Sequence, residues 1–292
     1  MYKKPKIIAE IGCNHKGDMD IAFELLDLAK SCGADVAKFQ KRNSKELLTK
    51  EQYDSPHPNP YNSYGKTYGE HREFLEFDLD QNLELMNYCN KIKIDYSTSV
   101  WDVTSAKEIV SMNPKMIKVP SACNNHFKML EILRDNYKGD VHISLGMTTS
   151  DEVNQIIDFF DRDSILKDRV VIYACTSGYP VPFDQLCLLE IKKLIDNFGN
   201  KVKSVGFSGH HLGIAADIAA YALGAEWIER HFTKDRTWKG TDHAASLEPS
   251  GLSKLIRDLN AVSESMKYKD MDILDIEKPQ REKLKWKKEL EL

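Results

Sequence analysis

Two lysines stand near the carboxyl ends of short β-rich runs, Lys38 in DVAKFQ and Lys118 in KMIKVPS, and neighbouring runs carry Thr98, Ser121, Ser144 and Ser208. A lysine ammonium is a compact point charge and a hydroxyl is a directional donor, so this set suits a small anion bearing both phosphate and carboxylate. His210 and His231 close two runs that follow one another along the chain. On adjacent strands both imidazoles could reach one ion, and two neutral imidazoles with few carboxylates suit Mn2+, Fe2+, Co2+ or Zn2+ with open positions for substrate. Glu10 ends the first run, Gln40 follows Lys38 by two, and Thr176 and Ser177 end the sixth. Each residue also has a plainer reading, the lysines as interior ion pairs with Glu10 or Glu229 and the histidines as ordinary hydrogen-bonded groups. Unpaired buried charge costs several kcal/mol, so polar side chains at every run end point to one shared functional mouth. Neither G-x-x-x-x-G-K-[ST] nor G-x-G-x-x-G occurs, which disfavours a nucleotide as the anion.

The elements that must position these groups alternate along the chain. Runs at 6–12, 35–40, 95–100, 115–121, 140–146, 169–177, 202–210 and 226–233 read as strands, and apolar residues three and four apart mark a helix after each one. Eight strand–helix units predict an α/β fold of the closed (β/α)8 TIM-barrel type, with a doubly wound open sheet as the alternative. In such a barrel the chemistry sits at the carboxyl ends of the strands, and alternate residues share a face, so Lys38 points with Gln40 and Ser208 with His210. The barrel is expected over residues 1–268. A long insert at 41–79, rich in Pro, Asn, Tyr and Gly, reads as a lid or flexible loop, and residues 269–292 read as a charged tail or surface helix.

A net charge of −4 gives no general attraction to nucleic acid or anionic membrane. No stretch approaches the roughly 20 apolar residues of a membrane span, and the start MYKKPKIIAEIG turns polar too soon for a signal peptide. Six scattered cysteines without a C-x-x-C pair favour a cytoplasmic, reduced state, with Cys175 as a small core filler. His57, His71, His126, His142 and His211 read as loop, surface or packing residues.

The same stretches carry a resemblance. IIAEIGCNHKGD, ADVAKFQ, TYGEHREFLEF, IKVPSACNN, SLGMTT, CTSGYP, GFSGHHLGI and LGAEWIERHFTKDRTWKGTDHAASLEP, spread in order over residues 6–265, resemble the motifs of the sialic acid (N-acetylneuraminate) synthase family. The resemblance implies a (β/α)8 barrel that joins C3 of phosphoenolpyruvate to the aldehyde of an open-chain N-acetylmannosamine-like sugar, with water attacking C2 and phosphate leaving. It implies a divalent metal, usually Mn2+, on His210 and His231. Phosphoenolpyruvate would be held by Lys38, Thr98, Lys118, Ser121, Ser144, Ser177 and Ser208, and the sugar by Glu10, Gln40, Tyr179 and Asp242. Glu10 or Asp242 would be the catalytic, proton-handling carboxylate. Acceptors of related type stay open: legionaminic-type, deaminated, or phosphorylated to give a 9-phosphate product, the last with Lys239 as a phosphate contact. So do a metal-dependent barrel aldolase that does not use phosphoenolpyruvate and a sugar-phosphate sensor.

Many bacterial members read S-D-H at Ser208–His210 and Asn at Ser177, where vertebrate members resemble this chain. The family usually adds a small antifreeze-like domain that reaches across a homodimer and lends an arginine to the partner's sugar site. This chain reads as the barrel without that domain, so a homodimer stays open, and the loop 54–72 or Arg236–Lys239 is expected to take over the missing contact.

Overall fold

Within each β-rich run the apolar residues alternate or run on without a break, as in strands buried on both faces. In the computed structural model, which describes residues 3–162 and 164–286, they form β1 (Lys6–Gly12), β2 (Val36–Lys41), β3 (Asp95–Val100), β4 (Met116–Val119), β5 (Asp140–Ser144), β6 (Val170–Cys175), β7 (Ser204–Gly209) and β8 (Trp227–His231). All pair in parallel in chain order, and β8 returns to β1, so the barrel is closed and the open-sheet alternative is excluded. The strands are shorter than the runs that predicted them: Ser121, Ser177 and His210 lie one or two residues past β4, β6 and β7, on the first residues of the connecting loops.

Helices follow the strands at Met19–Cys32, Leu79–Ile92, Val103–Met112, Phe127–Asp135, Ser150–Phe160, Leu189–Phe198, Ala215–Ala222 and Pro249–Ser265. Their ends are specified locally. Asp18 and Thr149 accept hydrogen bonds from first-turn amides, and Gly33 ends the first helix at φ +94°, where a side chain would be strained. Outward-facing strand residues such as Ala9, Phe39, Ile117 and Ile172 pack with helix residues Leu25, Leu85, Leu130 and Leu255 into the main core. A smaller set, Ile8, Val36, Met116, Val171 and Tyr173 with Trp227 against it, fills the barrel interior. It closes the lower barrel, so the polar residues above form a pocket and not a pore.

Two details set up the mouth. The β1–β2 register slips between Glu10 and Gly12, a bulge beside the site that leaves Glu10 opposite Lys38 and Gly12 opposite Phe39. The insert 41–79 is more ordered than a loop: it holds short helices at Ser44–Leu47, Lys50–Asp54 and Tyr68–Phe74 and a 3-10 turn at Pro60–Asn62. Tyr64 Oη donates to the Lys239 carbonyl and Gly240 N donates to Asn62 Oδ1 at 3.2 Å, tying the insert to the loop after β8. The charged tail includes an exposed helix, Lys278–Leu284; its last residues, 287–292, lie outside the described residues. No helix among the described residues is long and apolar enough to cross a membrane.

Candidate active site

Because inward positions alternate, β1, β2, β4 and β8 deliver Glu10, Lys38, Lys118 and Glu229 to one level of the barrel, all buried. Lys38 Nζ is ion-paired with Glu10 and lies 3.8 Å from Glu229 Oε2, and it donates to Ser99 Oγ at 2.8 Å. Lys118 Nζ donates to Glu229 Oε2 at 3.1 Å, and Ser208 Oγ donates to Glu229 Oε1 at 3.0 Å. Burial alone would lift the Glu229 carboxyl, but the ammonium groups of Lys118 and Lys38 outweigh it and hold the group well below the usual carboxylate range. Glu10 is pushed upward by burial despite its lysine. Lys38 stays above its ordinary value because Glu10 and Glu229 overcome its burial, whereas burial draws Lys118 down. The lysines are therefore ion-paired and, at the same time, line the pocket.

Above this level lies a chamber whose wall includes Gln40, Ser121, Ser144, Ser177, Tyr179 and both site histidines. Gly146 N donates to Ser121 Oγ at 3.0 Å. A Cβ added to Gly146 would come within 2.6 Å of Ser177 Oγ and 2.8 Å of Ser121 Oγ, so glycine is what keeps this hydroxyl cradle open. His210 and His231 face each other with ring centroids 5.4 Å apart, and the Tyr179 ring lies 4.4 Å from His210. The Thr176 carbonyl, 3.1 Å from His210 Nδ1, accepts that nitrogen's proton and leaves the Nε2 lone pair free. Burial, then the neighbouring His231, lowers His210 to about 3, so it is neutral at ordinary pH. His231 Nδ1 is buried without a hydrogen-bond partner among the described residues and lies 4.0 Å from Asp242 Oδ2. No group of three or more His, Cys, Asp or Glu among the described residues is arranged to hold an ion; these two histidines come as a pair.

Thr98 requires a correction. Its partners in register are Phe39 and Ile117, both outward-facing core residues, so it faces the helical layer. Ser99, opposite Gln40 and Lys118, is the β3 side chain in the chamber. The sequence reading placed the phase of β3 one residue early, and a one-residue shift exchanges faces. Thr176 also turns away, donating to the Gln185 carbonyl at 3.0 Å. Cys175 is not simply core: it lines the chamber.

A second chamber opens outward and shares Gln40, Trp101, Tyr179 and His231 with the first. Asp242 lies here, with several residues that sequence reasoning passed over. The guanidinium carbons of Arg42 and Arg72 stand 5.8 and 5.6 Å from the centre of the Trp101 ring. Arg42 is bound to Glu76, while Arg72 donates to Tyr68 Oη at 3.2 Å and has no carboxylate partner among the described residues. His57 and His71, read as loop or packing residues, line the same wall with ring centroids 4.3 Å apart. Burial lowers His71 to about 4, reinforced by His57, Arg42, Arg72 and Lys239, so several positive groups converge there. Glu229 was legible, since it precedes His231 by two on one strand; the outer residues had no periodic signal.

A closed (β/α)8 barrel with a lysine- and hydroxyl-lined pocket at the carboxyl ends of its strands places this protein among the barrels that carry their site at that mouth. The chain belongs to the NeuB family, whose pattern matches residues 25–271, and thus to the sialic acid and related nonulosonic acid synthases. It is 38% identical over 278 residues to the N-acetylneuraminate-9-phosphate synthase of Homo sapiens, covering 95% of this chain and 76% of that one. It is 31% identical over 265 residues to the N,N'-diacetyllegionaminic acid synthase of Campylobacter jejuni, covering 90% and 78%. The crystal structure of the sialic acid synthetase of Leptospira borgpetersenii with citrate superposes with a TM-score of 0.81 at 26% identity, covering 98% of this chain and 94% of that one.

Proposed function

We propose that this enzyme condenses phosphoenolpyruvate with an N-acylated amino-sugar aldehyde and releases phosphate to form a nonulosonic acid. The observation that carries the reading is the conjunction of Lys38 and Lys118 with the Ser121–Gly146–Ser177 cradle in one pocket. The ammonium groups suit the carboxylate and phosphate charges, and Ser144 and Ser177 supply oriented donors. C3 of phosphoenolpyruvate would attack the aldehyde carbon, water would add at C2, and the C2–O bond would break as phosphate leaves. Glu10, hydrogen-bonded by Gln40 at 3.1 Å and lifted by burial, is the better placed carboxylate to take the proton of that water. Asp242, in the outer chamber with Gln40 and Tyr179, would face the sugar.

The imidazoles of His210 and His231, one with its tautomer fixed by a carbonyl and the other with an orphaned buried nitrogen, fit a divalent ion. Mn2+ is the ion the resemblance implies, and when bound it would supply Lewis acidity toward the aldehyde oxygen. The buried charges Lys38, Lys118, Glu10 and Glu229 sum to zero, so a multiply charged anion benefits from that extra cation. Among acceptors, a phosphorylated sugar is favoured by Arg72, which lacks a carboxylate partner among the described residues, together with Arg42 and Lys239 around His71. The human relative is named for a 9-phosphate product, in keeping with this choice.

The test is phosphate release from phosphoenolpyruvate against a panel of free and 6-phosphorylated amino sugars, with and without chelator. With heavy oxygen at the bridging position, the label should leave in the phosphate. Label retained in the sugar acid would mean P–O cleavage and overturn the mechanism; no phosphate release with any acceptor would overturn the function.

A further inference from the structure

Below the reacting level, the barrel interior carries polar groups that the proposed chemistry does not use. Tyr173 on β6 and His142 on β5 are buried, and Trp227 on β8 is partly buried. Lys118 Nζ lies over the Tyr173 ring, 3.4 Å from its centre. Tyr173 Oη is 2.7 Å from His142 Nδ1, and the His142 ring meets Trp227 edge-on at 4.7 Å and 84°. Trp227 Nε1 in turn donates to Ser204 Oγ at 3.2 Å. Room for the tyrosine comes from Gly206 on β7: a Cβ there would fall 2.5 Å from Tyr173 Cε1 and 2.9 Å from Trp227 Cβ.

The two lysines differ in their support. Lys38 has Glu10, Ser99 and a share of Glu229. Lys118 has Glu229 alone as a hydrogen-bonding partner among the described residues, and that carboxylate is also held by Ser208. A buried ammonium needs more than a shared carboxylate, and the negative face of an aromatic ring can supply part of the remainder. A tyrosine whose hydroxyl is held by an imidazole cannot swing its ring aside.

We propose that Tyr173, locked by His142 and Trp227, is a positioning residue that holds Lys118 cationic and aimed upward at the anion in the chamber. The device acts through Lys118 and does not touch substrate. It rests on the reading that Lys118 binds phosphoenolpyruvate.

The experiment is steady-state kinetics of this chain with Mn2+, reading KM for phosphoenolpyruvate and for the acceptor separately, with melting temperatures alongside. Tyr173→Leu, which removes the ring, should raise KM for phosphoenolpyruvate about tenfold with the acceptor KM unchanged. Tyr173→Phe and His142→Ala, which keep the ring but free it, should raise it about two- to threefold. Equal effects of the Leu and Phe variants, or equal effects on both substrates, would overturn the proposal and reduce Tyr173 to a packing residue. Lys118→Ala separates the two readings. If it leaves phosphoenolpyruvate KM unchanged, the role of Lys118 fails. If it raises that KM while Tyr173→Leu does not, only the positioning role fails.

Discussion

The inner and outer chambers meet at Gln40, Trp101, Tyr179 and His231 but are built differently. Strands build the inner one: Glu10, Lys38, Lys118, Ser208 and Glu229 sit on β1, β2, β4, β7 and β8 and are held by ladder hydrogen bonds and mutual ion pairs. The outer one is walled by the insert and the loop after β8, which bring Arg72, His71 and Asp242 together through contacts such as Asn62–Gly240. A rigid, internally neutralised chamber suits the step that every member of a reaction class must share. A chamber made of insert and loop suits the part of the substrate that differs, since loop changes cost the barrel little.

The sharpest way to break this contrast is at Glu229. Glu229→Gln leaves two buried ammonium groups with Glu10 alone and should destabilise the fold by about 3–5 kcal/mol, measured by urea unfolding at neutral pH. A change under about 1 kcal/mol would mean that the inner chamber is not internally neutralised. Next comes a crossed pair of substitutions. Lys118→Ala should weaken phosphoenolpyruvate ten- to hundredfold, roughly the 1.5–3 kcal/mol of a charged hydrogen bond, and spare the acceptor. Arg72→Gln should do the reverse, lowering kcat/KM about tenfold for a phosphorylated acceptor and little for the free sugar. If each substitution weakened both substrates alike, the chambers would be one site with one function.

Acid should loosen both chambers through their histidines. His210, in the inner chamber, is lowered to about 3, and His71, in the outer one, to about 4, chiefly by burial. Unfolded, each titrates near its ordinary 6.5. Below that value the unfolded chain binds protons that the folded chain refuses, so the stability present above pH 6.5 is lost as pH falls toward 4. Glu10, pushed upward by burial, works in the opposite sense. The urea midpoint should fall steadily across this window, and His71→Gln should flatten the slope; an unchanged slope would mean that His71 titrates normally. The smallest effect concerns register. Ser99→Ala, which removes the hydroxyl accepting from Lys38, should raise phosphoenolpyruvate KM severalfold, roughly a 1 kcal/mol hydrogen bond, and Thr98→Val should leave it unchanged. The opposite ranking would mean that β3 is one residue out of phase.

Much of this protein was determined by its sequence alone. Eight β-rich runs, each followed by a helical period, specify a closed barrel because hydrophobic periodicity is local and repeats eight times. Alternation along β2 and β7 likewise places Lys38, Gln40 and Ser208 on one face of their strands. Short strands strain that logic. In DYSTSV, Thr98 interrupts a face whose other residues, Tyr96 and Val100, are core, and the sequence reading put it on the inner face; the pairing with Phe39 and Ile117 turns Thr98 out and Ser99 in. The insert lay further from reach, because its aromatic, histidine and arginine residues carry no period. Their convergence on Trp101 and His71 depends on where the loop after β8 meets them. The bed under Lys118 is tertiary too: His142, Tyr173 and Trp227 come from three strands and read singly as core residues. Only closure of the barrel stacks them beneath a charge, because a contact between distant segments is set by which strands become neighbours and not by any residue's own propensity.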